Sequence, residues 1–196
     1  RDGQHHGLSL GAPWRQQVHS PTDIAIPLSD HAIWSLPGVN RWTFSGDLMH
    51  GFDLGALAYL HGNTFLDLTH TTGPFAGNLA MRWDFLWQEL SRAYDSLGML
   101  SERLPAVKPE VVTDGSGLLK CKAVMSKRLV EPMLIVLRKH SNGSPRALHR
   151  IRAYEHAAKI YEVVGRNGLF LPQQEWEKFM GHIDFFLFHY VFVEHV

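Results

Sequence analysis

Residues 79–98 read LAMRWDFLWQELSRAYDSLG, and this stretch carries the clearest structural pattern in the chain. Its apolar residues recur at spacings of three and four, which is the period of one face of an α-helix. The residues of that face are Leu79, Trp83, Leu86, Trp87, Leu90, Ala93, Tyr94 and Leu97. A face this wide must pack against other elements, and Gly98 supplies a helix stop. The pattern predicts one helix of a larger helical core.

Two further helices are predicted directly downstream of a loop at residues 101–116. The apolar residues of 118–137 predict a helix in which Pro132 causes a kink or a split, because proline lacks the backbone N–H and clashes with the preceding turn. Ser144-Pro145 is a helix start, with serine as the cap and proline at the first helical position. The apolar stripe of this helix continues to about Val164.

The end of the chain predicts a last helix that opens at Pro172. Its predicted buried stripe consists of Trp176, Phe179, Met180, Ile183, Leu187, Tyr190 and Val191. Because this apolar stripe has not ended at Val196, we expect the natural protein to continue beyond that residue.

Upstream of residue 79, the helical pattern begins at about residue 47. Gly62-Asn63 predicts a break, followed by a short second helix from Thr64 to about His70. Residues 1–45 are interrupted by glycine and proline and predict an irregular arm with short apolar pieces that could form strands. The predicted organisation is an arm at residues 1–45 and a helical domain at residues 46–196. The fold class is mainly α, a bundle-like domain of five to seven helices.

The composition limits the class of protein. The 196 residues contain one cysteine, Cys121, so a fold stabilised by internal disulfides is excluded. No run approaches the roughly 18 apolar residues that a membrane span requires, and no signal peptide is recognisable at the start. We therefore expect a soluble protein with no membrane span. Because the first residue is Arg1, we also expect a processed product or a fragment.

The net charge is zero, but the charges are unevenly distributed. Residues 101–170 hold thirteen basic and six acidic side chains, a balance of +7, between segments of −4 and −3. Such density suits contacts with phosphate groups of nucleic acid, and the alternative is a set of solvated helix faces. The candidate nucleic-acid-binding residues are Lys120, Lys122, Lys127, Arg128, Arg138, Lys139, Arg146, Arg150 and Arg152. We expect Arg146, Arg150 and Arg152 to line one helix surface that faces a duplex.

One short constellation, Ser45-Gly46-Asp47-Leu48-Met49-His50, could carry chemistry. Asp47 and His50 are three residues apart, so their side chains could meet on a helix or turn. A carboxylate beside an imidazole can bind a divalent metal or orient a water molecule. Asp47 could equally be an N-cap that accepts hydrogen bonds from the first helical N–H groups. Elsewhere His182 and His189 share a helix face, without a third ligand at metal-site spacing.

The stretch Asp47-Leu48-Met49-His50 with Leu54-Gly55 resembles the Asp-x-Met-His and Leu-Gly signature of CACTA-type transposases. Similar stretches are Leu119-Lys120-Cys121-Lys122-Ala123, Leu148-His149-Arg150-Ile151-Arg152, Gly168-Leu169-Phe170-Leu171 and His189-Tyr190. The resemblance covers roughly residues 40–196.

The resemblance implies a ribonuclease-H-like core that holds Mg²⁺ on three acidic residues and cuts DNA. By that analogy Asp47 is a metal ligand in the second-acid motif, His50 is its catalytic companion, and residues 64–196 form a helical insertion. No convincing first acid lies in residues 1–45, and Glu194 is the sole late candidate for the last one. We therefore expect no catalysis by this chain alone, no required cofactor, and Mg²⁺ binding only if the three-acid site is intact. A nuclear location follows from the resemblance alone.

Three functions remain open. The first is a transposase-derived helical module that binds double-stranded DNA through the basic segment or assembles with copies of itself. The second is a structural subunit that docks a protein partner through the Phe-rich last helix. The third is a metal-dependent enzyme that cleaves DNA strands once missing segments complete it.

Overall fold

Five α-helices make up most of residues 48–112, 116–167 and 171–194, the parts of the chain that the computed structural model describes. A π-helical segment at Leu48–Ala56 precedes them, and a 3₁₀ turn at Pro109–Val111 separates the second from the third. The helices are α1 Leu57–Thr69, α2 Leu79–Ser96, α3 Ala123–His140, α4 Pro145–Asn167 and α5 Gln173–Glu194. The prediction of a mainly α, multi-helix domain is confirmed. The predicted arm at residues 1–45 lies outside the described residues.

Helix α2 begins at Leu79, the first residue of its predicted apolar face, and stops before Gly98 as predicted. The Asn78 side chain caps the start by accepting a hydrogen bond from the Met81 backbone N–H at 3.0 Å. Gly98 follows the last turn at φ +64°, a left-handed conformation that glycine adopts without strain. Between these ends Trp83, Leu86 and Leu90 are buried against the other helices.

Helix α4 packs against α5 and α3, and its side chains also reach α1. It runs antiparallel to α5, since His149 pairs with His189 and His156 with His182. It also runs antiparallel to α1, since Tyr154 contacts His61 whereas Arg150 contacts Asp67. The fully buried residues Ala153, Tyr154, Ala157 and Ile160 belong to α4 and join one continuous apolar core.

The predicted break at Gly62-Asn63 is wrong, because α1 continues through both residues. Gly62 is needed for close approach instead. A Cβ atom at this position would lie 1.9 Å from the carbonyl oxygen of Gly117, where the loop before α3 crosses α1. The crossing is held by a hydrogen bond from the Leu119 N–H to the Ala58 carbonyl oxygen at 3.1 Å.

Helix α3 begins later than its apolar pattern predicts. Leu119 pairs with Val112 in an isolated antiparallel bridge, and the helix starts at Ala123. Pro132 lies inside the helix, which is not split. Burial of Leu129, Met133 and the neighbouring apolar residues against α2 and α4 outweighs the hydrogen bond that proline removes.

The buried stripe of α5 differs from the prediction. Phe186 and Val193, seven residues apart, are the fully buried residues, whereas Trp176 and Met180 are exposed. The reason is that α5 packs mainly on α4, so one narrow seam is covered and the adjoining face stays open to solvent.

Candidate functional site

Only one residue of the predicted catalytic pair, His50, lies among the described residues. Asp47, the predicted metal ligand, lies outside the described residues. His50 is exposed on the π-helical segment. Within the same segment, Asp53 is buried, and its carboxylate accepts a hydrogen bond from the Tyr161 hydroxyl of α4. Asp53 therefore serves the packing between the segment and α4.

A buried polar network continues from Asp53 into the core. The Ser126 hydroxyl donates to the Asp53 backbone carbonyl oxygen at 2.7 Å. The Ser126 carbonyl oxygen in turn lies 2.9 Å from Nε2 of His61. A carbonyl oxygen only accepts, so Nε2 carries the proton and Nδ1 accepts from the Tyr154 hydroxyl at 2.8 Å. Both ring nitrogens of this fully buried imidazole are satisfied.

The network requires a neutral histidine. Burial lowers the pKa of His61 to about 3, and the hydrogen bond to Ser126 opposes that change only in part. Burial also raises the pKa of Tyr154 far above its usual range. The sequence did not indicate this role for His61, because its hydrogen-bond partners Tyr154 and Ser126 lie 93 and 65 residues away along the chain.

A second buried charge joins α2 to the end of α3. The Glu89 carboxylate is 4% exposed and accepts hydrogen bonds from Lys139 at 2.6 Å and His140 at 3.0 Å, beside Arg92 at 2.5 Å. Burial alone would raise the pKa of Glu89, but these donors lower it to about 2. Lys139, a candidate phosphate contact, is thus part of an internal ion pair.

Five other candidate basic residues also form ion pairs within the chain, and three of them, Arg128, Arg138 and Arg152, do so at the surface. The Glu155 carboxylate binds Arg138 at 2.9 Å and Arg152 at 2.8 Å. Arg128 pairs with Glu102 at 3.1 Å. Each of these three guanidinium groups is at least 47% exposed, so solvent weakens the pairs.

Arg146 and Arg150 converge on one carboxylate. Asp67 of α1 pairs with Arg150 and lies 3.2 Å from Nη2 of Arg146. Arg150 is only 5% exposed. The expectation that Arg146, Arg150 and Arg152 form one exposed row is therefore wrong for Arg150, because the ion pair draws its side chain into the α1–α4 interface.

Three lysines remain exposed without a carboxylate partner among the described residues. We call Lys120, Lys122 and Lys127 the lysine patch. Lys122 is the N-cap residue of α3, where no side chain caps the helix and no acidic residue occupies the first turn. Lys127 lies over the Tyr161 ring, with Nζ 5.0 Å from the centroid. Lys120 and Lys122 thus lie at the start of α3, which is the positive end of its helix dipole, and Lys127 lies in its second turn.

The exposed surface along α4 and α5 combines imidazole and phenyl rings. His149 and His189 lie 2.9 Å apart between their Nδ1 atoms, and His156 and His182 lie 3.3 Å apart. Burial lowers the pKa of His156 to about 4, with Lys159 and the neighbouring histidines acting in the same direction. His182 and His189 do share a face, as their spacing predicts, and each meets a histidine of α4.

Three phenyl rings continue this surface. Phe185 stacks on His156 and Phe192 on His149, with Phe188 between them. The three rings are 39–50% exposed. We call Phe185, Phe188 and Phe192 the aromatic face. The sequence pattern left these positions outside the predicted buried stripe, on the Phe-rich helix that the second function would use to dock a partner.

A metal centre and a reactive thiol are two further kinds of site to compare with the described part of the chain. No three histidine, cysteine or acidic side chains there converge as a metal site would require. Burial raises the pKa of the Cys121 thiol to about 11, so the nucleophilic thiolate is disfavoured.

No described helix is long and apolar enough to cross a membrane. Comparison of the chain with protein-family models, with curated proteins and with solved structures finds no match.

Proposed function

We propose that this chain is a transposase-derived helical module that binds the phosphate backbone of double-stranded DNA without catalysing a reaction by itself. The observation that carries the proposal is the lysine patch, which combines three exposed ammonium groups with an uncapped helix start. The family part rests on the Asp47–His50 signature and the stretches quoted with it.

The lysine patch suits phosphate for two reasons. Ammonium groups that pair with no carboxylate of the described residues have no ion pair there to break on binding. No side chain caps the first N–H groups of α3, and such N–H groups at a helix start favour an anion. The lysine patch offers contacts to phosphate, which carry no sequence information, so the proposed binding is expected to be independent of sequence.

The number of lysines sets the expected salt dependence. Three phosphate contacts give a slope of about −2.7 for the logarithm of the binding constant against the logarithm of the salt concentration. Affinity should therefore fall about 40-fold between 50 and 200 mM salt. The paired residues Arg128, Arg138 and Arg152 would steepen this slope if phosphate displaced their carboxylates, since exposed ion pairs cost little to exchange.

The test is a salt titration of the chain with a duplex of mixed sequence, followed by fluorescence anisotropy. Lys120→Gln with Lys122→Gln should reduce the slope by about 1.8. Arg166→Gln with Lys178→Gln is the matched control, because it removes two exposed positive charges from other positions on α4 and α5. Absence of binding at low salt, or an equal loss in both double variants, would overturn the proposal.

The proposal needs no cofactor. Strand cleavage would require Mg²⁺ on three acids, of which Asp47 is the candidate supplied here, with His50 beside it. Plasmid DNA incubated with the chain and Mg²⁺ should stay intact. Nicking that is abolished by Asp47→Asn would instead favour the metal-dependent enzyme. Binding to chromosomal DNA would imply a nuclear location.

The aromatic face supports a second candidate, a structural subunit or self-assembling module. Contiguous exposed phenyl rings are typical of surfaces that bind another protein. Sedimentation velocity across a concentration series should then show association that Phe188→Ser with Phe192→Ser removes. Leu79→Ser with Met81→Ser is the matched control, since these α2 residues are 53% and 58% exposed. A monomer at all concentrations would exclude self-assembly.

A further inference from the structure

A cavity of about 700 Å³ lies where α4 begins and where α1 and α3 end. Its walls come from the end of α1 with residues 70–74, from the last turn of α3 with residues 140–142, and from the first turns of α4. The volume falls in the range of sites that hold small organic ligands, roughly 300–1,000 Å³. The cavity is at the opposite end of α3 from the lysine patch, so it is a separate feature.

Two guanidinium groups give the cavity its charge. Arg146 and Arg150 line it and share a single carboxylate, Asp67, which also lines it. Guanidinium groups stay protonated, so these three side chains sum to one positive charge. Arg146 makes one more hydrogen bond, to the Val193 carbonyl oxygen at 3.0 Å. Among the described residues the buried Nε atoms of both arginines have no hydrogen-bond partner, so donors exceed acceptors there.

The polar side chains around the arginines also have donors to spare. In the turn before α4, Ser141, Asn142 and Ser144 each use a side-chain oxygen to accept a backbone N–H. The two hydroxyl protons and the Asn142 amide N–H groups therefore have no acceptor among the described residues. His70 Nδ1 accepts from the Thr72 backbone N–H at 3.3 Å, which leaves Nε2 as a further donor when the ring is neutral.

From this excess of donors we propose that the cavity binds a small phosphate monoester. The terminal oxygens of a phosphate can accept from several groups at once, and arginine recognises phosphate through paired N–H donors. The start of α4, whose first turn holds no acidic residue, faces the same space, and the positive end of its dipole favours an anion although Ser144 already accepts the Ala147 N–H. Helix α1 and α3 present their negative ends there, so the guanidinium groups supply the net positive field. The rest of the cavity volume accommodates the organic part of the ester.

The geometry assigns different roles to the two arginines. Arg150, which is buried and paired with Asp67, holds the wall in place. Arg146 is half-buried, and its ion pair with Asp67 is the longer one, so its guanidinium can turn toward a phosphate. Arg146 is therefore the main anion contact, with His70 and Ser144 completing the site.

Phenyl phosphate is the probe, and benzoate is its matched carboxylate. Titration of the full chain up to about 10 mM ligand, followed by amide chemical shifts, should show phenyl phosphate binding about tenfold or more tightly than benzoate. The shifts should centre on residues 70–74 and 141–147. Equal binding of benzoate, shifts elsewhere, or no binding of phenyl phosphate would overturn the proposal.

Two variants localise the binding. Arg146→Gln should weaken the binding of phenyl phosphate by about tenfold or more. Arg166→Gln, which changes an exposed arginine near the other end of α4, should leave the binding affinity unchanged. If Arg146→Gln does not fold, His70→Ala at an exposed loop position should still weaken binding by about threefold or more. Unchanged affinity in the folded variants would refute the site. The double variant Lys120→Gln with Lys122→Gln should bind phenyl phosphate as tightly as the wild type, which separates this proposal from DNA binding.

Discussion

The buried His61 should make the fold sensitive to mild acid. Its folded-state pKa of about 3 lies below the ordinary value of 6.5, so the unfolded chain takes up a proton in this range that the folded chain excludes. The stabilisation is therefore complete above pH 6.5 and is lost progressively as the pH falls from 6.5 toward 3. The maximum slope for one proton is about 1.4 kcal/mol per pH unit.

Over that window the loss amounts to roughly 4–5 kcal/mol, a large part of the 5–15 kcal/mol by which domains are usually stable. His156 and Glu89 act in the same direction. The pKa of His156 is lowered to about 4 and that of Glu89 to about 2, so their stabilisation is lost over about pH 6.5 to 4 and 4.5 to 2. His156 is half-exposed, so its contribution is smaller.

The assay is urea unfolding by circular dichroism at pH values from 7.5 down to 4.5. His61→Gln removes the titrating group, keeps a donor and an acceptor, and should cost about 1–3 kcal/mol at pH 7. Its stability should then depend less on pH than that of the wild type, by about 1.4 kcal/mol per pH unit below pH 6. His70→Gln, at an exposed position, is the control. A wild-type free energy of unfolding that stays constant from pH 7 to 5, or an unchanged slope in His61→Gln, would refute the reasoning.

Two further substitutions test the packing. Glu89→Gln should lower the free energy of unfolding by about 1–3 kcal/mol at pH 7, because Lys139 and its neighbours lose a charged acceptor. Chemical denaturation would measure it, with the exposed Glu177→Gln as control, and equal stabilities would contradict the assigned ion pairs. Gly62→Ala should destabilise by about 1–3 kcal/mol or more, since its methyl group meets a loop carbonyl oxygen. Gly181→Ala, where the new methyl group meets no atom within 4 Å, should stabilise α5 by up to about 1 kcal/mol. Similar melting temperatures for the two alanine variants would disprove the close approach.

The candidate site shows where sequence reasoning reached its limit. The high charge density of residues 101–170 marked the basic segment, but six of its nine candidates are paired with carboxylates from other parts of the chain. Asp67 lies more than 70 residues from the arginines that it binds. No local pattern connects these positions, so the sequence could not separate the lysine patch from the internally neutralised arginines.

The amino-acid sequence by itself determined the helical class, the Gly98 stop of α2 and the start of α4 at Ser144-Pro145, because periodicity and capping depend on residues within a few positions of one another. The tertiary structure alone decided that Gly62 is a crossing point, that His61 stays neutral in the core and that three helix ends enclose a cavity of about 700 Å³. Each of these depends on atoms brought together from distant segments, and their burial sets which charges are paired and which donors remain for a ligand.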